Sequence, residues 1–247
     1  MAEHTALRPV TSSTEATPDR IARVPGVPGV EPTSAVRSSG GVGIDARERL
    51  ILAAYELFSR RGVQSVGVDA IIERSGVARQ TMYRHFASKQ DLVLAFLERR
   101  NELWTKQWLQ ATVEQRSSDP RDGLLVIFDV FDEWFRAPNF EGCSFINVML
   151  EHPDPNHPIH RAGAAYLVGV RQFVEDLARR AGIADPEPFA RKWHILMKGS
   201  IVAAGEGDRD AARRAKKIAL LVLDESSPPL RVAAPKNRRR ASSPARS

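Results

Sequence analysis

The chain has a single cysteine, Cys143, in 247 residues. No intrachain disulfide can form, which fits a reducing compartment. No run approaches the ~18 consecutive apolar residues of a membrane span. The opening thirteen residues, MAEHTALRPVTSS, lack the apolar stretch of a signal peptide. A cytoplasmic protein with no membrane partner is therefore expected. Strand-like segments are also missing. Gly40-Gly41-Val42-Gly43 is no phosphate loop, because no strand precedes it and the third glycine is absent. No nucleophile, base and orienting residue group together, so catalysis has no carrier and neither a catalytic residue nor a cofactor is expected.

Positive charge is scarcer in the body of the chain than the formal total of +6 implies. Arg231, Lys236, Arg238, Arg239, Arg240 and Arg246 account for all of it, with no acid among residues 228–247. The rest of the chain is formally neutral, so a charge argument for nucleic acid must be local. Residues 1–43 are rich in Pro, Gly, Ser and Thr with little apolar periodicity, and read as a disordered leader. Residues 226–247 read as a disordered basic tail, which either adds non-specific attraction to DNA or simply solubilises the end.

What is present is centred on Gly67 to Lys89, GVDAIIERSGVARQTMYRHFASK. Val68, Ile71 and Ile72 are apolar at helical spacing, and Gly76 breaks that helix because glycine takes a left-handed conformation cheaply. Val77 follows as a buried plug. A second short helix, from about Ala78 to Phe86, places Met82 and Phe86 on one face. Arg79, Gln80, Tyr83 and Arg84 are left facing outward. A short helix fixed by a turn, and polar where it starts, has the shape that fits a major groove. Arg74, Arg79, Arg84 and Lys89 form an acid-free stretch across it.

The segment from Asp45 to about Arg100 resembles the DNA-binding domain of TetR-type (tetracycline-repressor-like) transcriptional regulators. The matching residues are Ala54, Phe58, Gly62, Val68, Ile71, Gly76, Val77, Thr81, Tyr83, Phe86, Lys89 and Leu92. They include GVxxxTxYxHF followed by SKxxL, a specific helix-turn-helix signature. Two positions depart from the pattern. Val66-Gly67 stands where a hydroxyl residue usually opens the first motif helix, and Ala78 where Ser or Thr usually caps the recognition helix. Ser65 or Asp69 is expected to supply part of the first cap.

The surrounding helices follow from caps and periodicity. Asp45 to Arg61 carries an apolar stripe of Leu50, Ile51, Ala54, Leu57 and Phe58, and ends at Gly62. Arg47 near its start reads as a solvated charge. Ser88, with Asp91 in the capping-box position, opens a long helix towards Gln115 through Leu92, Phe96 and Leu103. Asp119-Pro120 opens an aromatic-rich helix, and a short one spans Ser144 to Glu151. Pro158 to about Ala181, Pro186 to about Gly205 and Asp208 to Asp224 complete the set. The fold class is all-α: a three-helix helix-turn-helix domain at residues 44–88, then a helical ligand-binding and dimerisation domain at 89–225.

Chemistry assigns the expected contacts. Arg79 and Gln80 suit base edges, Arg for guanine and Gln for adenine. Thr81, Tyr83, Arg84, His85 and Lys89 suit phosphates, which position without encoding sequence. Trp104, Trp108, Phe128, Phe131, Trp134, Phe145, Tyr166, Phe173 and Trp193 supply a large aromatic surface. Singly each is an ordinary core residue. The family resemblance implies that this region encloses a small-molecule pocket, so an apolar effector is expected. The resemblance also implies that the last two helices pair with their copies across a twofold axis, giving a homodimer on a palindromic operator. Cys143, at a helix start, is either a sensor thiol or a small buried residue, the latter being commoner. His152, Asp154, His157 and His160 cluster in a proline-rich loop and read as solvated residues rather than a metal site. The resulting expectation is a dimeric repressor released by a ligand. The alternative is a ligand-independent DNA-binding regulator or activator.

Overall fold

Asp45 starts the fold by accepting a hydrogen bond from the Glu48 backbone N–H at 2.7 Å, an N-cap that fixes where helix α1 (Ala46–Arg61) begins. The computed structural model describes residues 45–226, and among these every regular element is helical. The Gly40–Gly43 run, the leader 1–43 and all of the basic tail except Ser226 lie outside the described residues.

Helices α2 (Val68–Ser75) and α3 (Arg79–His85) form the motif. Gly76 between them sits at φ 64, ψ 22, the left-handed conformation that a side chain would strain. Val77, Met82 and Phe86 are buried beneath the turn, as their spacing predicts. No side chain caps α2, so the cap expected from Ser65 or Asp69 is not made, and Asp69 instead bonds Arg79.

The capping box at Ser88 and Asp91 is complete, and opens α4 (Lys89–Arg100). The expected long helix is not uniform. After Arg100 the backbone runs as a π-helix from Asn101 to Gln110 before returning to α-geometry as α5 (Ala111–Arg116). The burial pattern shows why. Arg100 and Thr105, Trp104 and Leu109, and Trp108 and Val113 are three buried pairs at a spacing of five. An i→i+5 helix keeps such pairs on one side, whereas an α-helix would rotate them apart.

The rest of the body is α6 (Pro120–Arg136), α7 (Ser144–Glu151), α8 (Pro158–Arg180), α9 (Pro186–Gly205) and α10 (Ala211–Glu225). Asp119 caps α6 by accepting from the Arg121 and Asp122 N–H groups. The last helix starts three residues later than its expected Asp208. That carboxylate instead accepts from the Asp210 N–H at 3.0 Å and pairs with Arg214, holding the chain in a turn. In the packing, α8 lies against α7, α9 and α6, α10 lies against α9 and α6, and α1 rests on α4.

Candidate nucleic-acid interface

Helix α3 is anchored from below and open above. Met82 is fully buried and Phe86 nearly so, while Arg79, Gln80, Tyr83, Arg84 and His85 are exposed. Thr81 and Lys89 are half-buried. All seven residues expected at DNA therefore lie on α3 or at the first position of α4, five of them exposed and none buried. Burial pushes the Lys89 amine down from its ordinary range, and the Glu151 carboxylate opposes that shift.

The field at this surface is less positive than the acid-free stretch implies. Asp69 pairs with Arg79, and Glu56 pairs with Arg74 at 2.5 Å. Both acids come from outside residues 74–89, so chain order hides them. Arg84 makes no ion pair among the described residues. Arg47 places its guanidinium 5.4 Å from the Phe86 ring centroid, a cation–π contact that braces the motif rather than a free charge.

Residues 50–96 match the profile of bacterial regulatory proteins of the tetR family. A TetR-family transcriptional regulator from Streptomyces coelicolor has 30% identity, covering 74% of this chain and 90% of that one, with a TM-score of 0.68. The chain belongs to the TetR family. The HTH-type transcriptional regulator YjdC of Escherichia coli is 23% identical over 178 residues, which are 68% of this chain and 90% of YjdC. The HTH-type transcriptional activator FasR of Mycolicibacterium smegmatis is 37% identical over 75 residues, 29% of this chain and 34% of FasR. As a TetR-family member the protein is a DNA-binding transcriptional regulator with a helix-turn-helix.

In this TetR-family protein the nine aromatic residues divide into groups. Trp104, Trp108, Phe131 and Trp134 pack ring on ring, with Trp104 and Trp134 centroids 5.0 Å apart. Phe128 bridges from Phe131 to Trp193. Phe145 and Tyr166 form a separate pair, and Phe173 is buried on α8. The indole N–H groups of Trp104, Trp134 and Trp193, and the hydroxyl of Thr105, are buried without a hydrogen-bond partner. Each such orphan costs about 1–3 kcal/mol. An open pocket of about 650 Å³ lies elsewhere, lined by Pro155, Pro158, His160, Arg161, Ala162, Ala164 and Ala165.

Several contacts that sequence reasoning missed join the DNA-reading part to the helical body. The buried Arg100 donates to the Tyr55 hydroxyl at 2.9 Å. Arg60 at the end of α1 pairs with Glu141 at 3.3 Å, and burial pushes the Glu141 carboxyl up while Arg100 and Arg60 draw it down. Glu151 on α7 accepts from the Gln64 N–H at 2.6 Å, and its carbonyl accepts from the Gln64 side chain. A Cβ at Gly62 would meet the Glu151 carboxylate at 2.7 Å, so glycine permits this approach. Isolated Glu and Gln residues give no signal of such pairing. Arg100 and Thr105 had one signal, their spacing of five.

Burial also pushes the Cys143 thiol up, opposing a reactive thiolate. The histidine loop is locally occupied. His152 Nδ1 donates to the Val148 carbonyl, and His160 Nδ1 to the His152 carbonyl. His157 caps α8 by accepting from the Ile159 N–H. Among the described residues no three His, Cys, Asp or Glu side chains gather as a metal site requires, and no helix is long and apolar enough to cross a membrane.

Proposed function

We propose that the protein is a homodimeric repressor whose two α3 helices read a palindromic operator, and that a small ligand in the helical body releases it. One observation carries the reading. Arg79, Gln80, Tyr83, Arg84 and His85 stand exposed together on a helix whose opposite face is locked into the core. Residues 44–88 read DNA, and residues 89–225 dimerise and take the effector. Arg79 and Gln80 contact base edges, while Thr81, Tyr83, Arg84, His85 and Lys89 contact phosphates.

Dimerisation is supported by α9 and α10. Ile195 is 64% exposed, Val202 52%, Ile218 49% and Leu221 69%. Ile195, Gly199 and Val202 recur at i, i+4 and i+7, and nothing lies within 4 Å of the Cβ position at Gly199, which leaves room for a second helix. A twofold copy buries this face and sets the α3 helices about 34–36 Å apart, one turn of DNA. The effector then stabilises a conformer with the wrong separation, which requires it to bind that conformer more tightly.

The test is selection from randomised duplex DNA by the purified protein. A palindrome with half-sites about one turn apart is expected. A selected site without twofold symmetry contradicts the dimeric reading, and no selection at all contradicts operator recognition. The likeness to FasR, named as an activator, favours the opposite regulatory sign. A reporter driven through the selected site decides between them: expression falls with a repressor and rises with an activator.

A further inference from the structure

We infer that Asp69 sets the sequence preference of the interface: its carboxylate aims the Arg79 guanidinium at a guanine edge, although its own charge opposes DNA. The inference rests on the assignment of Arg79 to base edges and adds the residue that positions it. Asp69 is the second residue of α2, and its Oδ1 accepts from Nη2 of Arg79, the first residue of α3. Among the described residues Arg79 has no other side-chain hydrogen bond or ion pair, so Asp69 alone holds this long side chain. The Arg79 and Asp69 side chains are 58% and 78% exposed, which places the pair on the open surface of the motif. Arg84, the other arginine of α3, is exposed without such a partner.

That difference matches two kinds of contact. A phosphate positions without encoding sequence and suits a cation free to sweep. Guanine O6 and N7 accept from two N–H groups in one plane, which needs a fork held at a fixed tilt. A guanidinium carries five N–H donors, and Asp69 takes one, leaving enough for both guanine acceptors. The carboxylate has a cost. It repels phosphates and offsets the charge that Arg79 brings to the duplex. An acid in the first turn also favours α2 itself, but that role predicts lower stability with sequence preference unchanged. Glu73, one turn further along α2, is exposed and makes no ion pair among the described residues. It brings the same charge to the same helix without touching Arg79, and so serves as the control.

The experiment measures binding of full-length variants to the selected duplex, to its single-base variants and to a random-sequence duplex. Wild type is expected to prefer guanine about 5- to 150-fold at the base pair that Arg79→Ala relaxes. Asp69→Ala is expected to cut that preference about threefold or more, leave the other pairs unchanged and bind the random duplex more tightly. Added to Arg79→Ala, it is expected to change that pair no further. Asp69→Asn keeps an acceptor oxygen and loses the charge, so it is expected to retain more of the preference than Asp69→Ala. Glu73→Ala is expected to tighten random-duplex binding with the preference intact. An unchanged preference in Asp69→Ala, whether or not its melting temperature falls, overturns the inference and leaves Arg79 a base reader. So does an equal loss in Glu73→Ala, or an Asp69→Asn no better than Asp69→Ala, because charge alone then explains the effect. Arg79→Ala weakening all sequences alike overturns the base-reading assignment and this inference with it.

Discussion

Replacing Arg84 with alanine separates positioning from reading and counts the subunits on DNA. Arg84 is exposed and makes no ion pair among the described residues, so its loss should change folding stability by no more than about 0.5 kcal/mol. Each phosphate contact contributes about 0.9 to the slope of log affinity against log salt on duplex DNA. A dimer presents Arg84 twice, so the slope should fall by about 1.8. Over a fourfold rise in salt, from about 50 to 200 mM, the ratio of wild-type to variant affinity should shrink about twelvefold. Fluorescence anisotropy on the selected operator and on single-base variants of it measures both quantities. The loss should be uniform across sequences. An unchanged slope, or a loss confined to one base pair, refutes the phosphate assignment. A change near 0.9 would put one Arg84 on DNA and remove the twofold arrangement. Arg79 makes the contrast. Its exposed pair with Asp69 is worth at most ~1 kcal/mol. A bidentate guanine contact is worth about 1–3 kcal/mol of discrimination, so on the proposed function Arg79→Ala should relax specificity at one base pair rather than weaken all sequences alike.

Three further outcomes are expected. His194 is buried on α9, and burial, with Lys198 and Arg171 nearby, holds its pKa down to about 4. An imidazole depressed from its unfolded value keeps its stability above pH ~6.5 and loses roughly 3 kcal/mol as pH falls to about 4. Urea melts of His194→Leu across that window should lack this slope, and a slope equal to wild type would show the group titrates normally. Leu221→Asp places a charge on the exposed α9–α10 face, where burying a leucine is worth about 1.5–3 kcal/mol per copy. Sedimentation should show the dimer dissociation constant raised at least about 100-fold, and an intact dimer at the wild-type concentration would move the interface elsewhere. Glu151→Ala removes the acceptor of the Gln64 N–H, worth ~1 kcal/mol, so hydrogen exchange at residues 62–66 should quicken about fivefold. Unaltered exchange would show that this contact does not hold the motif.

The helix-turn-helix was legible because its determinants are local. Gly76 needs its left-handed backbone, and Val77, Met82 and Phe86 follow one helical face. Asp45, the Ser88–Asp91 box and Asp119-Pro120 marked helix starts within a residue or two, since caps are also local chemistry. The long helix after Ser88 was legible in extent but not in geometry. A 3.6 period carries Leu92 and Phe96 on to Leu103, yet Leu103 is half-buried and Trp104 is inside. The π-turn shifts the stripe by one position, and only the five-residue spacing of Arg100, Thr105, Trp104 and Leu109 betrays it. The charge at the interface was legible in sign and too strong in size. Glu56 and Asp69 reach Arg74 and Arg79 from earlier in the chain, and residue order carries no information about such crossings.

The two kinds of contact joining the DNA-reading part to the body are unequal, and the difference bears on how the proposed release works. Tyr55 and Phe58 on α1 pack against Phe96 of α4 at 5.6 and 5.5 Å between ring centroids. Parting that buried seam would cost several kcal/mol, more than a typical allosteric coupling of 1–3 kcal/mol. The α1–α4 unit therefore moves as one body. The Arg60–Glu141 pair is different: it is a single ion pair, 54% exposed on the Arg60 side and 14% on the Glu141 side, and Arg60 has Glu56 and solvent as alternative partners, so it is the weaker of the two contacts. It also stands next to the aromatic stack, for Phe140 packs on Trp134 with centroids 4.9 Å apart. On the proposed function, an effector in the helical body that shifts Trp134 presses on Phe140 and so on Glu141, the next residue in the chain. The weak clasp yields before the strong seam. On the proposed function, the effector's work is to release Arg60 at the end of α1, leaving α1 and α4 to carry the recognition helix as a rigid pair.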